Sequence, residues 1–227
     1  LFGLPADLTA LEQIGVPLIE DCAQTLGVRE QGRPVGTIGR LTVCSFYATK
    51  LLCAGEGGMV LSNEAALLER VRSLRAYDGA ATLDPSSFNL KLTDLQAALG
   101  LSQLGRFAAF HERRRVLAAA YRGALSSTAA VCPSVPPGRT HGYYRFVIRL
   151  PHLRNNPGGL TGLISRLEQQ GIHCRMPVFR PLHRYLDRAG FPNSDEADRT
   201  ALSIPLYPDL TDDEVRQIHQ SLTEVLS

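Results

Sequence analysis

The sequence predicts an α/β layered domain followed by a smaller C-terminal α+β unit. Three observations carry this. Through the first half, short apolar runs that end on polar residues alternate with helical patterns. A long helical stretch then opens at a capping signature, Thr93-Asp94-Leu95-Gln96, and runs, as one helix or with one break, to about Ala124. Beyond it the chain turns rich in Pro and Gly (Pro133, Pro136, Pro137, Gly138) before strand and helix patterns resume. The expected division is residues 1–124 for a large domain with its connecting helix and 125–227 for a small domain.

In chain order, Leu1-Phe2-Gly3 reads as the end of a strand already in progress, as if the sequence starts inside a domain. Asp7 is placed to cap a helix with an apolar face of Leu8, Leu11 and Ile14. Residues 16–19 form a buried-strand pattern ending on Glu20-Asp21, and 41–46 form a second one ending near Ser45-Phe46-Tyr47. The cluster Gly55-Glu56-Gly57-Gly58 reads as a turn before a third strand, 59–61, and lacks the spacing of a nucleotide-binding loop. A helix from near Asn63 turns Leu67, Leu68, Val71 and Leu74 inward. In the C-terminal part, 143–150 is a strand with Tyr144, Phe146 and Ile148 on one face. Leu160, Leu163, Ile164 and Leu167 line a helix that Gly171 ends. Residues 201–206 are a short apolar segment closed by Pro208. A second capping box, Thr211 to Glu214, opens a helix that turns Val215, Ile218, Leu222 and Val225 inward.

With 227 residues, 44% hydrophobic and 20% charged, the chain has enough apolar content for a core without disulfide or metal staples. A formal charge of +2 is too mild to mark a nucleic-acid or membrane-surface binder. The run Arg113-Arg114-Arg115 reads as a solvated helix face. The cysteines, Cys22, Cys44, Cys53, Cys132 and Cys174, are odd in number and have neither CxxC nor zinc-ligand spacing, so no metal is expected and a reducing cytoplasm is the natural setting.

Ligands gather at the carboxyl ends of strands in open α/β sheets. Two strand ends carry polar groups where the apolar run stops: Asp21 with Gln24 one turn on, and Ser45 with Lys50 in the following segment. Singly, each has an ordinary explanation as a cap or a surface residue. Together they match the needs of pyridoxal phosphate, a lysine amine for a Schiff base and an acid that keeps the pyridine nitrogen protonated.

Four segments carry a family resemblance: Pro17-Leu18-Ile19-Glu20-Asp21-Cys22-Ala23-Gln24, Cys44-Ser45-Phe46-Tyr47-Ala48-Thr49-Lys50, Gly55-Glu56-Gly57-Gly58-Met59-Val60, and the stretch from Phe88-Asn89-Leu90-Lys91 through Thr93-Asp94 to Ala97-Ala98. The likeness continues through Gly171-Ile172-His173 and Leu202-Ser203-Ile204-Pro205-Leu206. The chain resembles the DegT/DnrJ/EryC1/StrS family of pyridoxal phosphate-dependent sugar aminotransferases. The resemblance implies part of a type I aminotransferase large domain, with a mostly parallel or mixed sheet and helices on both faces, plus the small domain. It implies that Lys50 is the Schiff-base lysine, that Asp21 partners the pyridine nitrogen, that Gln24 meets the ring's hydroxyl side and that Ser45 binds the phosphate. Asn89 matches the residue that reaches the phosphate from a neighbouring subunit, which implies a homodimer. The implied substrates are an amino-acid donor, glutamate or glutamine, and a nucleotide-linked keto sugar.

Departures from the family pattern are Cys22 in place of Ala, Leu90-Lys91 in place of an aromatic-Arg pair, and Tyr77-Asp78-Gly79 in place of a His-Gly ending. A dehydratase branch carries His at the lysine position, so Lys50 favours transamination. Family members are longer and begin with a segment that supplies phosphate donors, a ring stacked on the cofactor and further strands. Without such a segment, apolar faces within residues 1–40 are expected to be uncovered. The alternative reading is a truncated, non-catalytic fragment that binds cofactor weakly. His141, Tyr143, His183 and Tyr185 are available to line a sugar pocket, and none is assigned there.

Overall fold

The computed structural model describes residues 1–76 and 86–226. The segment Tyr77-Asp78-Gly79 lies outside the described residues. Two compact units are present. One comprises Leu1, Gly3–Glu112 and Val135–Tyr144, and the other Phe2, Arg113–Ser134 and Arg145–Ser227.

The first unit is built on a three-stranded mixed sheet. Helix α1 (Leu8–Glu12) precedes β1 (Ile19–Asp21), a short antiparallel pair β2 (Arg29–Glu30) and β3 (Arg33–Pro34), then β4 (Leu41–Ser45), β5 (Gly58–Leu61) and helix α2 (Ala65–Leu74). The sheet order is β1-β4-β5, with β1 parallel to β4 and β4 antiparallel to β5. Cys22, Cys44, Phe46, Leu52 and Ala54 form its buried cluster, with Leu26, Val35 and Phe107 packed against it. The Asp7 carboxylate accepts the Ala10 N–H and caps α1 as expected. The four residues expected to face inward on α2 are its half-buried ones.

Several expectations for the first forty residues need correction. Leu1-Phe2-Gly3 is a turn, closed by Leu4 N–H donating to Leu1 C=O, and not a strand end. On α1 only Leu8 is buried, while Ile14 is 64% exposed. The first strand is shifted to Ile19–Asp21 and its polarity is inverted: Glu20 is buried, whereas Ile19 is 68% exposed. The reason is a local hydrogen-bonding demand. The Glu20 carboxylate accepts N–H donors from Gly36, Ile38 and Gly39 at 2.7, 2.7 and 2.6 Å, so the charge is held by backbone that would otherwise be unpaired. Ile14, Val16 and Ile19 are exposed.

Helix α3 (Asp94–Ala124) crosses the division between the units at Glu112 and Arg113. Its capping box is formed, with Thr93 Oγ1 accepting from Gln96 N–H and Gln96 Oε1 accepting from Thr93 N–H. In the second unit the expected strand 143–150 shortens to β6 (Phe146–Arg149), which pairs antiparallel with β7 (Ala201–Ile204). Helix α4 (Gly159–Gln169) ends at Gly171, whose φ of +79° is open to glycine at low cost. Short helices α5 (Leu182–Tyr185) and α6 (Pro192–Thr200) precede β7, and α7 (Asp212–Leu226) closes the chain behind its own capping box. Val215, Ile218 and Leu222 are buried, as the helical pattern requires, whereas Val225 is half-buried and Leu226 is the buried residue of the last turn. The arginine run is not a solvated face throughout. Arg114 is buried and donates to the Leu206 C=O at 3.0 Å, and Arg113 donates to the Leu210 C=O at 2.7 Å, so these side chains satisfy carbonyls in the loop after β7.

The turn 141–144 of the first unit explains why β6 starts late. Tyr143 has φ of +46°, a left-handed conformation that breaks the extended run. His141 Nδ1 accepts the Tyr143 N–H at 2.9 Å, which leaves the imidazole proton on Nε2. Burial pushes the His141 imidazole down to about 4. The unfolded chain therefore binds this proton below about pH 6.5 while the folded chain does not, so stability rises with pH between about 4 and 6.5. Lowering the pH from 7 to 4.5 should remove stability on the order of 2–3 kcal/mol through this residue. Urea midpoints at the two pH values check it, and His141→Asn, which keeps an acceptor for Tyr143, should flatten that part of the profile.

Candidate active site

The parallel register of β1 and β4 pairs Ile19 with Leu41, Glu20 with Thr42, and Asp21 with Val43. Side chains alternate across a sheet, so Asp21, Val43 and, two residues on, Ser45 share one face. Glu20, Thr42 and Cys44 occupy the other face and are buried. Asp21 is exposed and Ser45 half-buried, so a carboxylate and a hydroxyl stand on the more open face at the carboxyl ends of neighbouring strands. The Asp21 Oδ1 accepts the Ala23 N–H at 2.9 Å, which orients the carboxylate from its own chain. On the other side of Ser45 the partner is Gly58, a residue of β5 and not of a turn. A Cβ on Gly58 would stand 2.7 Å from the Cys44 carbonyl oxygen, so glycine lets β5 close against β4 there.

Lys50 sits in the turn that leaves β4. Its N–H donates to the Tyr47 C=O at 2.9 Å, Ala54 N–H donates back to the Phe46 C=O at 2.8 Å, and Phe46 N–H donates to the Gly57 C=O at 2.8 Å. Leu51, Leu52 and Ala54 are buried and anchor this loop. The half-buried Lys50 amine lies 5.1 Å from the centre of the Tyr144 ring, and Thr49 Oγ1 meets the Tyr144 hydroxyl at 3.2 Å. Gln24 is half-buried in the turn after β1. Asn89 is exposed in the loop ahead of α3. Asp21 and Ser45 thus occupy adjoining strand ends, with Gln24 and Lys50 in the turns that follow their strands, while Asn89 comes from a separate loop.

The cysteines near these strand ends are inert by burial, which pushes the Cys22 thiol up to about 12 and raises Cys44 as well. Cys22 is packed in the sheet core, as a small buried substitution should be. Thr49, Tyr144 and Glu20 are neighbours of the site that the sequence pattern did not single out. Glu20 carried no local signal, since an acid at a strand end reads as outward-facing and only the distant Gly36 to Gly39 loop holds it inside. His183 and Tyr185 lie in the second unit. His183 is buried, bonded to Asp195 at 3.1 Å and stacked on Phe191, and Tyr185 is exposed beneath Arg180.

The sequence profile of the DegT/DnrJ/EryC1/StrS aminotransferase family matches residues 1–223. The chain belongs to this family. Among curated DegT/DnrJ/EryC1/StrS relatives, the GDP-perosamine synthase of Vibrio cholerae is 30% identical, with 96% of this chain and 62% of that protein covered. The UDP-N-acetyl-3-dehydro-α-D-glucosamine 3-aminotransferase of Acidithiobacillus ferrooxidans is 28% identical over 96% of this chain and 60% of that protein. Among solved structures, DesV of S. venezuelae, in complex with a ketimine intermediate, superposes with a TM-score of 0.89 at 28% identity, covering all (100%) of this chain and 63% of DesV. A family aminotransferase from Brucella abortus gives a TM-score of 0.88 at 26% identity, again over 100% of this chain and 63% of the other. The chain therefore spans about three-fifths of the length of the relatives it matches, and within that span its fold is that of the DegT/DnrJ/EryC1/StrS aminotransferases. Among the described residues no helix is long and apolar enough to cross a membrane.

Proposed function

We propose that the chain binds pyridoxal phosphate through Lys50 and transfers an amino group from an amino acid, glutamate or glutamine, to a keto group of a nucleotide-linked sugar. The observation that carries this reading is the placement of Asp21 and Ser45 on one open sheet face at adjoining strand ends, with Lys50 in the pinned turn that follows. An amine, a carboxylate and a hydroxyl are the donor set this cofactor requires, so the residues fit it. When bound, the cofactor supplies an electron sink for charge that develops at the substrate carbon. Asp21 would hold the proton on the pyridine nitrogen, Ser45 would donate its hydroxyl to the phosphate, and Gln24 would serve the ring's hydroxyl side. The Lys50 amine would carry the covalent attachment and, once released, would take and return a proton at Nζ. Two relatives whose names specify a GDP-linked and a UDP-linked sugar support the acceptor class.

A homodimer is part of the same proposal, with Asn89 serving the neighbouring copy's phosphate site. The exposed Phe88, Leu90, Leu95 and Leu101 around that loop support burial against a second copy. A cytoplasmic location suits five free thiols. Changing Asp21 to Asn should leave the fold intact, because Oδ1 still accepts from Ala23, and should lower amino transfer by roughly 10²- to 10³-fold. Steady-state rates with glutamate and a nucleotide-linked keto sugar check that.

Lys50 and Lys91 are the two lysines of the sequence, so the deciding experiment is clean. Pyridoxal phosphate added to the protein should produce a visible absorption band, borohydride should trap the label on the Lys50 peptide, and glutamate should bleach the band. No band, or a label on Lys91, would favour the non-catalytic fragment. A band that glutamate leaves unbleached counts against transamination.

A further inference from the structure

We propose that Tyr144 is a positioning residue for Lys50, its ring face holding the lysine amine and its hydroxyl tied to the neighbouring Thr49. The inference rests on the reading of Lys50 as the cofactor-bearing lysine. The amine lies over the Tyr144 ring at 5.1 Å, and the ring is steadied by the 3.2 Å contact between its hydroxyl and Thr49 Oγ1. Tyr144 is buried and comes from a point in the chain some ninety-five residues away from Thr49, so the contact is a product of tertiary folding.

The backbone behind Tyr144 is unusually constrained. Tyr143 is left-handed at φ +46°, a conformation that a bulky side chain adopts only where its surroundings enforce it. The His141 ring stacks on Tyr143 at 4.2 Å with 13° between planes, and its Nδ1 accepts the Tyr143 N–H. Gly142 N–H donates to the Gly3 C=O at 2.8 Å. A Cβ on Gly3 would stand 2.7 Å from the amide nitrogens of both Tyr143 and Tyr144, so the chain at Gly3 is pressed directly against this turn. The turn fixes where the Tyr144 ring can be.

An aromatic face suits a lysine that must be held and yet lose its proton. A carboxylate partner would favour the ammonium strongly. A ring face attracts the ammonium more weakly and forms no hydrogen bond that must break before the amine reacts. Four flexible methylenes would otherwise let the amine wander from the strand end, and small displacements at a reacting atom carry large rate penalties.

With Lys50 and Lys91 as the chain's two lysines, the inference can be tested directly. Reductive methylation with 13C-formaldehyde should place the Lys50 methyl signals upfield of those of Lys91, because of the ring current. Tyr144→Phe should keep that displacement, and Tyr144→Leu should abolish it with Lys91 unmoved. In unmethylated protein, Tyr144→Leu should slow covalent capture of pyridoxal phosphate by roughly tenfold or more, while Tyr144→Phe, which keeps the ring and loses the Thr49 contact, should fall between it and the unsubstituted protein. Coincident Lys50 and Lys91 signals in the unsubstituted protein would overturn the inference, as would an unchanged capture rate in Tyr144→Leu. If Tyr144→Leu does not fold, the signals of the unsubstituted protein and of Tyr144→Phe still decide. Failure of pyridoxal phosphate to label Lys50 at all sinks the proposed function instead, and the methyl shift still judges where the amine is held.

Discussion

Lys50→Ala should lower amino transfer by about 10⁴-fold or more, the upper end of what a positioned acid–base group contributes, because covalent attachment is lost with it. Lys91, the other lysine, lies in the exposed loop ahead of α3 and does not occupy a strand end. The fold should survive, since the contact that shapes the turn is the residue-50 backbone N–H on the Tyr47 carbonyl and alanine keeps it. Single-turnover measurements with glutamate should show the loss. A small primary amine added to the variant should recover part of the rate by entering the space the side chain vacates. A rate within tenfold of the unsubstituted protein would remove Lys50 from the mechanism.

Glu20→Ala should cost on the order of 3–5 kcal/mol of stability, a large share of the total for a domain. Three backbone N–H groups converge on this buried carboxylate within 2.7 Å, and each left unpaired in the interior costs about 1–3 kcal/mol, with relaxation and water entry making the sum less than additive. Glu20→Gln should recover only part of the loss. Its amide oxygen replaces one acceptor, but its NH₂ group then faces a backbone donor. Denaturant midpoints of the three proteins order them: unsubstituted, then Gln, then Ala. Because Glu20 precedes Asp21 on β1, the Ala variant should also weaken cofactor capture, whereas a surface change of equal charge such as Glu69→Ala should do neither.

Elements governed by short-range rules were legible in advance. The capping boxes at Thr93 and Thr211, the Asp7 cap, the Gly171 stop and the inward Val215, Ile218 and Leu222 of α7 follow from patterns that repeat within one or two turns, and all are formed. The misreadings share a different cause. Ile19 is exposed and Glu20 buried because the Gly36 to Gly39 loop folds back on the strand, a contact sixteen to nineteen residues away. Arg114 is buried because a carbonyl ninety-two residues on needs a donor. The strand expected from residue 143 begins at 146 because Gly3 and His141 force Tyr143 into a left-handed turn.

The sequence by itself determined the family, the α/β class, and Asp21, Ser45 and Lys50 as the residues to examine. These follow from residue type and local spacing, which strand periodicity converts into strand-end positions. Only the tertiary structure decided that Asp21 and Ser45 share a face, since that depends on the parallel register of strands twenty-two residues apart. It alone brought Tyr144 beneath Lys50 and turned Glu20 inward. Such contacts are set by which buried polar groups find partners when distant segments close together, and no local pattern records that.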